Sequence, residues 1–539
     1  MAQALHTNTQ TKHYIRVAQV SDVKASGFLV VYAEGQAIAL FNQGDKIYAI
    51  DNRCPHMGFP LHRGTVKDCI LTCHWHHARF DLASGGTFDA WADDVRAFPT
   101  EIRDGQVWVD LAPHADPVVH QRQRLQDMHT CMINLLPYLD PEDRPRALYH
   151  GLAAVARDCA GQPPRFGVQP LPTSTPDIDT LQRWFRQFIE VRDAEGAERC
   201  LVSAVRGGAS QRQIAEMLFT TATDHRYIDV GHVVDFTNKA LEALDATHWQ
   251  NAESVLTSLV SEYASAERME ESNSWRYPVD LVAILQRAFA ELPAALESGQ
   301  IKRGNWSGRE ELVKVLLGED AQALADSLVE ALRAGCSEEE LASAVVYAAA
   351  LRIAHFHTNN DFGDWDTAHH TFTFANAVHQ GLRRVPSQAL LRGVFDAAMS
   401  TYLNRFLNVP PARLPEPNQI VENPEQLLHQ LPELLDRQQQ VNEAGSLVAR
   451  YLYSGGNPDR LLALLGKLLL REDRSFHVIQ EIEAAFRQYS LLGTTEAGIH
   501  VLIAAARYLA AHAPTMRSQA QTYQMAERLY RGDRVFEEA

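Results

Sequence analysis

The pattern of hydrophobic and polar positions changes once along the chain. In roughly the first fifth, as at 28–33 and 36–41, hydrophobic and polar residues alternate between turns that contain Gly, Asn and Asp, which is typical of strands. From about Val119 onward, hydrophobic residues recur at spacings of three and four, which indicates helices. The predicted fold class is therefore α+β: a small antiparallel β domain, a linker with first helices and a large all-helical domain, over residues 1–112, 113–176 and 177–539.

The helical part contains an internal repeat. Residues 201–214 align with residues 328–341, and residues 451–461 form a looser third copy. In each copy a Gly can end one helix in the left-handed conformation, and Ser or Asn-Pro can begin the next helix. The repeat is much longer than a single solenoid motif, so that each unit should contain several helices. The predicted copies lie near residues 195–300, 320–410 and 435–539.

Two short stretches of the β domain each pair a cysteine with a histidine. Cys54 precedes His56 by two residues, Cys73 precedes His76 by three, and sixteen residues lie between the two pairs. Thiolate and imidazole bind soft and borderline metals, so that the four side chains form a complete ligand set. Zinc is the competing metal, but the spacing and the flanking residues argue against it.

The residues around these four ligands resemble the Rieske family. The resemblance rests on Gly58, Leu61 and Gly64 after the first pair and on Phe80, Asp81 and Gly85 after the second, and it extends from 39–41 to 105–111. It implies a [2Fe–2S] cluster in which Cys54 and Cys73 hold one iron while His56 and His76 hold the other. The resemblance covers only about the first fifth of the chain.

A second group of candidate ligands lies in the helical part. The third helix of each copy carries a histidine at one equivalent position, and three residues later a polar residue that shares the same helix face. The histidines are His232, His370 and His477, and the polar residues are Asp235, Thr373 and Gln480. Further titratable residues precede these helices, among them His225, His357, Asp366 and His369.

Spacings of this kind occur in metal sites inside helical bundles. The predicted metal ligands of the helical domain are His225, His232, His357, Asp366, His369, His370 and His477, and the predicted catalytic residues are His232, Asp235, His369 and His370. The alternative is purely structural: Asp366 as a helix N-cap and the repeated histidines as hydrogen-bonded residues inherited by duplication.

Charge and cysteine usage restrict the partners and the compartment. The net charge of −17 argues against nucleic acid and anionic membrane surfaces, which require a basic face. No apolar run reaches membrane-spanning length, and the five cysteines outside the motif are scattered, as expected of reduced thiols in the cytoplasm. Exposed acidic helices are compatible with a homo-oligomer.

The preferred hypothesis is an oxidoreductase, of oxygenase or oxidase type, that oxidises a small molecule with O₂. An external ferredoxin or flavoprotein reductase would supply electrons, since no dinucleotide-binding Gly motif follows a strand. Additional iron, mononuclear, dinuclear or in haem, would receive them. The resemblance to Rieske oxygenases stops at the cluster, because Asp366-x-x-His369 is followed by Phe374 where those enzymes carry a second His.

Two other functions remain open at this stage. The protein could be a non-catalytic electron carrier or redox sensor whose helical repeat is a docking scaffold, or it could hold a flavin or quinone between the helices. In its scattered histidines, though in no quotable motif, the helical part is similar to the questin-oxidase-like all-helical oxygenases.

The flanking residues also predict the reduction potential of the cluster. Phe59, Trp75, Ala78 and Phe80 occupy the positions at which high-potential Rieske proteins carry extra cysteines and hydroxyl groups. Fewer hydrogen bonds to the cluster sulfurs stabilise the reduced state less, so that we expect a midpoint toward about −150 mV, the low end of the Rieske range. A redox titration followed by EPR measures it. A midpoint near about +300 mV would contradict the prediction.

Overall fold

The computed structural model describes residues 14–111 apart from 56, 57, 68, 76, 84 and 86–94, and residues 122–531 apart from 161–169, 172–176, 359, 361 and 417–421. The chain divides into two compact units, Met1–Gln121 and Arg122–Ala539.

The first unit is built from three small antiparallel sheets. Their strand orders are β1-β10-β9, β2-β3-β4-β8 and β5-β6-β7, which confirms the predicted antiparallel β domain. The elements are β1 Tyr14–Gln19, α1 Val20–Ser26, β2 Phe28–Ala33, β3 Gln36–Gln43, β4 Lys46–Asp51, β5 Thr65–Lys67, β6 Ile70–Thr72, β7 Arg79–Asp81, β8 Ala97–Phe98, β9 Thr100–Arg103 and β10 Gln106–Asp110.

Strand β3 separates two hydrophobic cores. Successive side chains of a strand point to opposite faces, and here both faces are apolar. Ile38 and Leu40 belong to a core that is shared with β10. Ala39 and Phe41 belong to a second core, which also contains Cys54 and Cys73. The apolar residues of one strand therefore position both predicted cysteine ligands on a single side of the sheet.

Among its described residues, the second unit contains helices and no strands, as predicted. Its helices are α2 Arg122–Leu135, α3 Arg144–Cys159, α4 Ile178–Glu190, α5 Ala194–Arg206, α6 Gln211–Ala222, α7 His232–Ala246, α8 Ala252–Ser265, α9 Asn273–Arg276, α10 Leu281–Gln300, α11 Arg309–Leu316, α12 Ala321–Arg333, α13 Glu338–Ala354, α14 Phe362–Arg384, α15 Gln388–Leu403, α16 Pro424–Leu435, α17 Val441–Tyr453, α18 Pro458–Leu470, α19 Phe476–Leu492, α20 Glu496–Ala511 and α21 Ser518–Tyr530. Among the described residues, no helix has the length and apolar character that crossing a bilayer requires.

Helices of matching order follow one another three times, as α5–α8, α12–α15 and α17–α20. The first helix of each run ends near a glycine with positive φ, and these glycines are Gly208, Gly335 and Gly455. Capping boxes at Ser210 and Ser337 start the second helix in two runs, and Asn457 caps it in the third. The local signals for helix ends and starts thus lie where the sequence repeat predicts them.

The third helices of the three runs, α7, α14 and α19, come together in the core. Helix α14 contacts both α7 and α19, and α2 contacts α7 and α19. Helix α2 lies in the stretch that the sequence assigned to linker and first helices, yet it belongs to the same compact unit as the repeat.

A buried ion network joins α7, α19 and α2. Lys239 is 1% exposed, and its Nζ lies 2.7 Å from Glu483 Oε2 and 3.2 Å from Glu242 Oε2. Asn134 of α2 donates to both carboxylates, at 2.7 Å each. Burial disfavours the charged amine, but these carboxylates keep the pKa of Lys239 well above its usual range, so that it is an ammonium at neutral pH.

Replacing the lysine tests this network. In Lys239→Ala the two glutamates lose their buried ammonium and keep only the partly exposed Arg487 as a cation, and we expect the free energy of unfolding of the helical unit to fall by about 3 kcal/mol. Urea titration followed by far-UV circular dichroism measures the change. The matched control is Lys314→Ala, which removes an exposed ion pair with Glu311 and should change stability by no more than about 0.5 kcal/mol. Equal effects of the two substitutions would contradict the assignment.

Candidate metal centres

Cys54 and Cys73 each begin a tight turn, and the two turns have the same hydrogen bonds. The amide of Cys54 donates to Phe59 O and its carbonyl accepts from Gly58 N, at 2.8 and 2.7 Å. The amide of Cys73 donates to Ala78 O and its carbonyl accepts from His77 N, at 2.8 and 2.9 Å. The two cysteine side chains therefore occupy equivalent positions in two equivalent loops.

The position four residues after each cysteine is left-handed in both turns. Gly58 has φ +82° and His77 has φ +62°. A non-glycine residue seldom adopts this conformation, so that the backbone geometry of His77 is imposed by the loop. His77 therefore takes the backbone role that glycine has in the other loop.

Both sulfurs lie in an apolar setting. Cys54 and Cys73 are buried in the same hydrophobic core, and the rings of Phe59 and Trp75 meet beside them with centroids 5.0 Å apart. The predicted imidazole ligands His56 and His76 lie outside the described residues. Two equivalent buried cysteine turns fit the sulfur side of the ligand set that the sequence motif predicts.

In the helical unit, three of the predicted ligands meet. Nitrogen atoms of His232, His370 and His477 all lie within 4.8 Å of one another. His232 and His477 are buried and His370 is half-buried. One residue comes from each of α7, α14 and α19, the third helices of the three runs.

The chain turns sharply to present His232. Tyr227, Asp229 and Val230 all have φ between +45° and +48°, which is strained for a β-branched residue such as Val230. Gly231, with φ +96°, precedes α7, and a Cβ there would lie 2.6 Å from the Phe374 side chain of α14. This close approach brings the first residue of α7 against α14.

Two of the ring nitrogens lie at a distance that two ligands of one metal would also have. The Nε2 atoms of His370 and His477 are 3.2 Å apart. Two nitrogens bound tetrahedrally to one metal at about 2.0–2.1 Å would be roughly 3.3 Å apart. In the absence of a metal, the same distance suits one ring N–H donating to the other ring.

Burial favours a neutral ring at His370. Burial, together with the neighbouring imidazoles of His232 and His477, holds the pKa of His370 well below its usual range. A neutral imidazole has a lone pair to offer a metal.

The carboxylate of Asp366 and the phenol of Tyr508 lie beside the three-histidine group. His477 Nδ1 faces Asp366 Oδ1 at 3.5 Å, and the Tyr508 hydroxyl donates to the same oxygen at 3.2 Å. Burial by itself would raise the pKa of Asp366, but His477 and its neighbours hold it below the usual range. Carboxylates placed in this way orient histidine ligands in metal sites. Asp366 lies inside α14, which begins at Phe362, so that the N-cap interpretation is wrong.

His369 lies next to the group but directs both nitrogens elsewhere. Its Nδ1 is 2.9 Å from Glu481 Oε2 and its Nε2 is 3.1 Å from Gln480 Oε1. The ring is fully buried and lies 5.1 Å from His477, centroid to centroid. His369 therefore locks α14 to α19, and its nitrogens do not converge with those of the other three rings.

Asp235 is one turn beyond His232 on α7. It is 1% exposed, and neither carboxylate oxygen has a hydrogen-bond partner among the described residues. Burial raises its pKa to about 8, opposed by Lys239 and reinforced by Glu483 and Glu242. Asp235 is thus mostly protonated at neutral pH and can hold a proton.

Two predicted ligands lie away from the three-histidine group. Both nitrogens of His225 contact carboxylates, Glu270 Oε1 at 2.6 Å and Glu190 Oε2 at 2.7 Å. His357 lines a separate cavity. Both residues are near the other histidines in the sequence, but their nitrogens do not join those of His232, His370 and His477. We therefore leave both out of the candidate site.

Sequence reasoning did not identify three of the supporting residues. They are Tyr508 on α20, which contacts Asp366, and Glu481 and Gln480 on α19, which contact His369. Each contact joins residues more than a hundred positions apart in the sequence. The one available signal was the repeat itself, which aligned Gln480 with Asp235 and Thr373.

Known proteins match part of the chain. The model of the family described as Rieske [2Fe-2S] domain matches residues 13–99. The ferredoxin component of the naphthalene 1,2-dioxygenase system of Pseudomonas putida is 29% identical over 103 residues, which are 19% of this chain and 99% of that protein. The 3-phenylpropionate/cinnamic acid dioxygenase ferredoxin subunit of Escherichia coli (strain K12) is 35% identical over 82 residues, 15% of this chain and 76% of the subunit. Among solved structures, the Sphingomonas yanoikuyae B1 ferredoxin is 30% identical and covers 18% of this chain and 98% of its own, with a TM-score of 0.17.

The surroundings of His225 give a pH-dependent contribution to stability. Burial opposes the imidazolium, but hydrogen bonds to Glu270 and Glu190 outweigh it and raise the pKa of His225 above its usual value near 6.5. The stabilisation is fully present below the unfolded pKa and is lost as pH rises through the folded pKa. We expect the stability difference between the wild type and His225→Asn to shrink from about pH 6 to about pH 9 in urea titrations. His429→Asn, at an exposed position of α16, is the control. A difference that is constant or grows with pH would refute the assignment.

Proposed function

This chain belongs to the Rieske [2Fe–2S] family, and we propose that it is an oxidoreductase in which the cluster passes single electrons to iron held by His232, His370 and His477. The reaction would be the O₂-dependent oxidation of a small molecule. The observation that carries the proposal is the convergence of the three imidazole nitrogens within 4.8 Å in a chain whose other unit is a one-electron domain.

The residues of the first unit fit the cluster. The buried thiols of Cys54 and Cys73 would hold one iron, and His56 and His76 would hold the other. When bound, the cluster supplies one-electron transfer. The apolar core around both sulfurs limits the access of water, which favours a low reduction potential.

The residues of the helical unit fit a second metal. Three neutral imidazoles leave one or more coordination positions open, as catalytic sites with three protein ligands do. Bound iron would supply binding and activation of O₂ or of the substrate. Phe236 and Phe476 pack against His232 with ring centroids 5.1 and 6.0 Å away, so that one side of the group is dry. Iron, rather than zinc, is favoured because a one-electron donor has no use for a metal without redox chemistry.

Two acidic residues would assist. Asp366 would accept the Nδ1 proton of His477 in a hydrogen bond and so fix the tautomer that leaves Nε2 for the metal. Asp235 would keep a proton at neutral pH, one helical turn from His232, and could deliver it during reduction of O₂. An external ferredoxin or flavoprotein reductase would supply the electrons.

Iron content separates this function from that of an electron carrier. In protein prepared without air, we expect about three irons per chain, two in the cluster and one at the histidine group. His370→Ala should lose the third iron and keep the EPR signal of the reduced cluster. The control His429→Ala should keep all three. Two irons in the wild type, or an unchanged third iron in His370→Ala, would refute the second site and leave the carrier function.

A further inference from the structure

A cavity of about 430 Å³ lies between the end of α13, the segment 411–415 and helices α17 and α20. Its volume is within the range of small-molecule sites. Apolar side chains such as Ala354, Leu414 and Ile503 form part of the wall, while Arg507, Arg413 and His357 also line it. The lining thus combines an apolar surface with the cationic guanidinium groups of two arginines.

Arg507 is a buried cation with an incomplete set of partners. It is 3% exposed, and its Nη1 and Nη2 donate to Asn442 Oδ1 and Phe356 O, each at 2.7 Å. Its Nε is buried and has no partner among the described residues. A guanidinium has five N–H donors, so that several remain for a ligand.

No described carboxylate forms an ion pair with Arg507. Burial lowers its pKa to about 10, and the nearest compensation is the more distant charge of Glu443. A buried charge without a counter-ion is costly, and a bound anion would remove that cost.

The other buried arginines of this unit either have a carboxylate counter-ion or donate from all three nitrogens to protein oxygens, although Arg474 Nε, like Arg507 Nε, has no hydrogen-bond partner among the described residues. Arg226 Nη1 is 2.9 Å from Asp396 Oδ1, and Arg474 Nη2 is 2.9 Å from Glu472 Oε2. Arg352 lacks a carboxylate, but Nε, Nη1 and Nη2 all donate to carbonyl or amide oxygens. Arg507 differs from all three because it lines a cavity.

A second cation, Arg413, stands at the exposed side of the same cavity and forms no ion pair with any described residue. We propose that this cavity binds a small organic anion: a carboxylate or phosphate head group between Arg507 and Arg413, with an apolar body against Ala354, Leu414 and Ile503. Guanidinium groups bind both kinds of head group with paired hydrogen bonds.

The proposal does not depend on the second metal. Arg507 is followed on α20 by Tyr508, whose hydroxyl donates to Asp366 beside the three-histidine group. Binding itself needs only the guanidinium groups and the apolar wall. It should therefore persist in His370→Ala, and its failure is distinguishable from failure of the iron site.

Calorimetric titration of the full-length protein at low salt tests the site. The probes are benzoate, phenyl phosphate and neutral benzamide. We expect at least one of the two anions to bind and benzamide not to bind; the tighter anion identifies the head group. Arg413→Gln should weaken that binding about tenfold, about 1.4 kcal/mol, and Ser446→Phe, which fills the cavity from α17, should abolish it.

The matched control is Arg437→Gln, which removes the same charge at an exposed position outside the cavity lining. It should leave the affinity unchanged, and circular dichroism verifies that each variant is folded. The proposal is overturned if neither anion binds, if benzamide binds as tightly as the anions, or if folded Arg413→Gln and Ser446→Phe both retain wild-type affinity.

Discussion

The burial of three imidazoles where α7, α14 and α19 meet is the constraint on which the helical unit depends. Each ring brings polar nitrogens into a region that excludes most water, and buried polar atoms require partners. The rings satisfy this requirement through one another and through Asp366, as the 3.2 Å and 3.5 Å approaches show. Since every one of these contacts joins different helices, the polar core fixes how the three runs of helices pack.

Polar layers continue along the same helices below the histidines. One turn on, Asp235, Thr373 and Gln480 occupy equivalent positions, and beyond them lies Lys239 with its glutamates. These lower layers differ between the three runs, whereas the upper layer is histidine in all three. A hydrogen-bonded core can be made from many side chains, but a metal site with nitrogen ligands requires imidazole at each position. The pattern within this one chain therefore favours coordination over a purely structural use.

Much of the fold and the three-histidine group could be predicted from sequence, because the sequence patterns that indicate them are local. Period-two alternation predicted the β domain, the glycine and serine signals marked the helix ends, and the repeat aligned His232, His370 and His477, which the structure brings together. The density of histidines before α14 was misleading. His355 Nδ1 donates to the carbonyl oxygen of Ala412 at 2.7 Å, and residues that follow one another around a helix end point in different directions. Tyr508 could not be predicted, because its contact with Asp366 spans 142 residues and depends on tertiary packing alone.

Helix α20 links the two candidate sites of the helical unit. Consecutive residues of a helix are rotated by about 100° around its axis. Arg507 and Tyr508 therefore lie in the same turn of α20 but contact different neighbours. Arg507 lines the cavity and holds Phe356 O, and the ring of Phe356 lies 4.0 Å, between centroids, from that of Trp365, the neighbour of Asp366. Tyr508 reaches Asp366 directly. Two short chains of contacts therefore join Arg507 to the carboxylate beside His477, one along α20 and one through the Phe356–Trp365 contact.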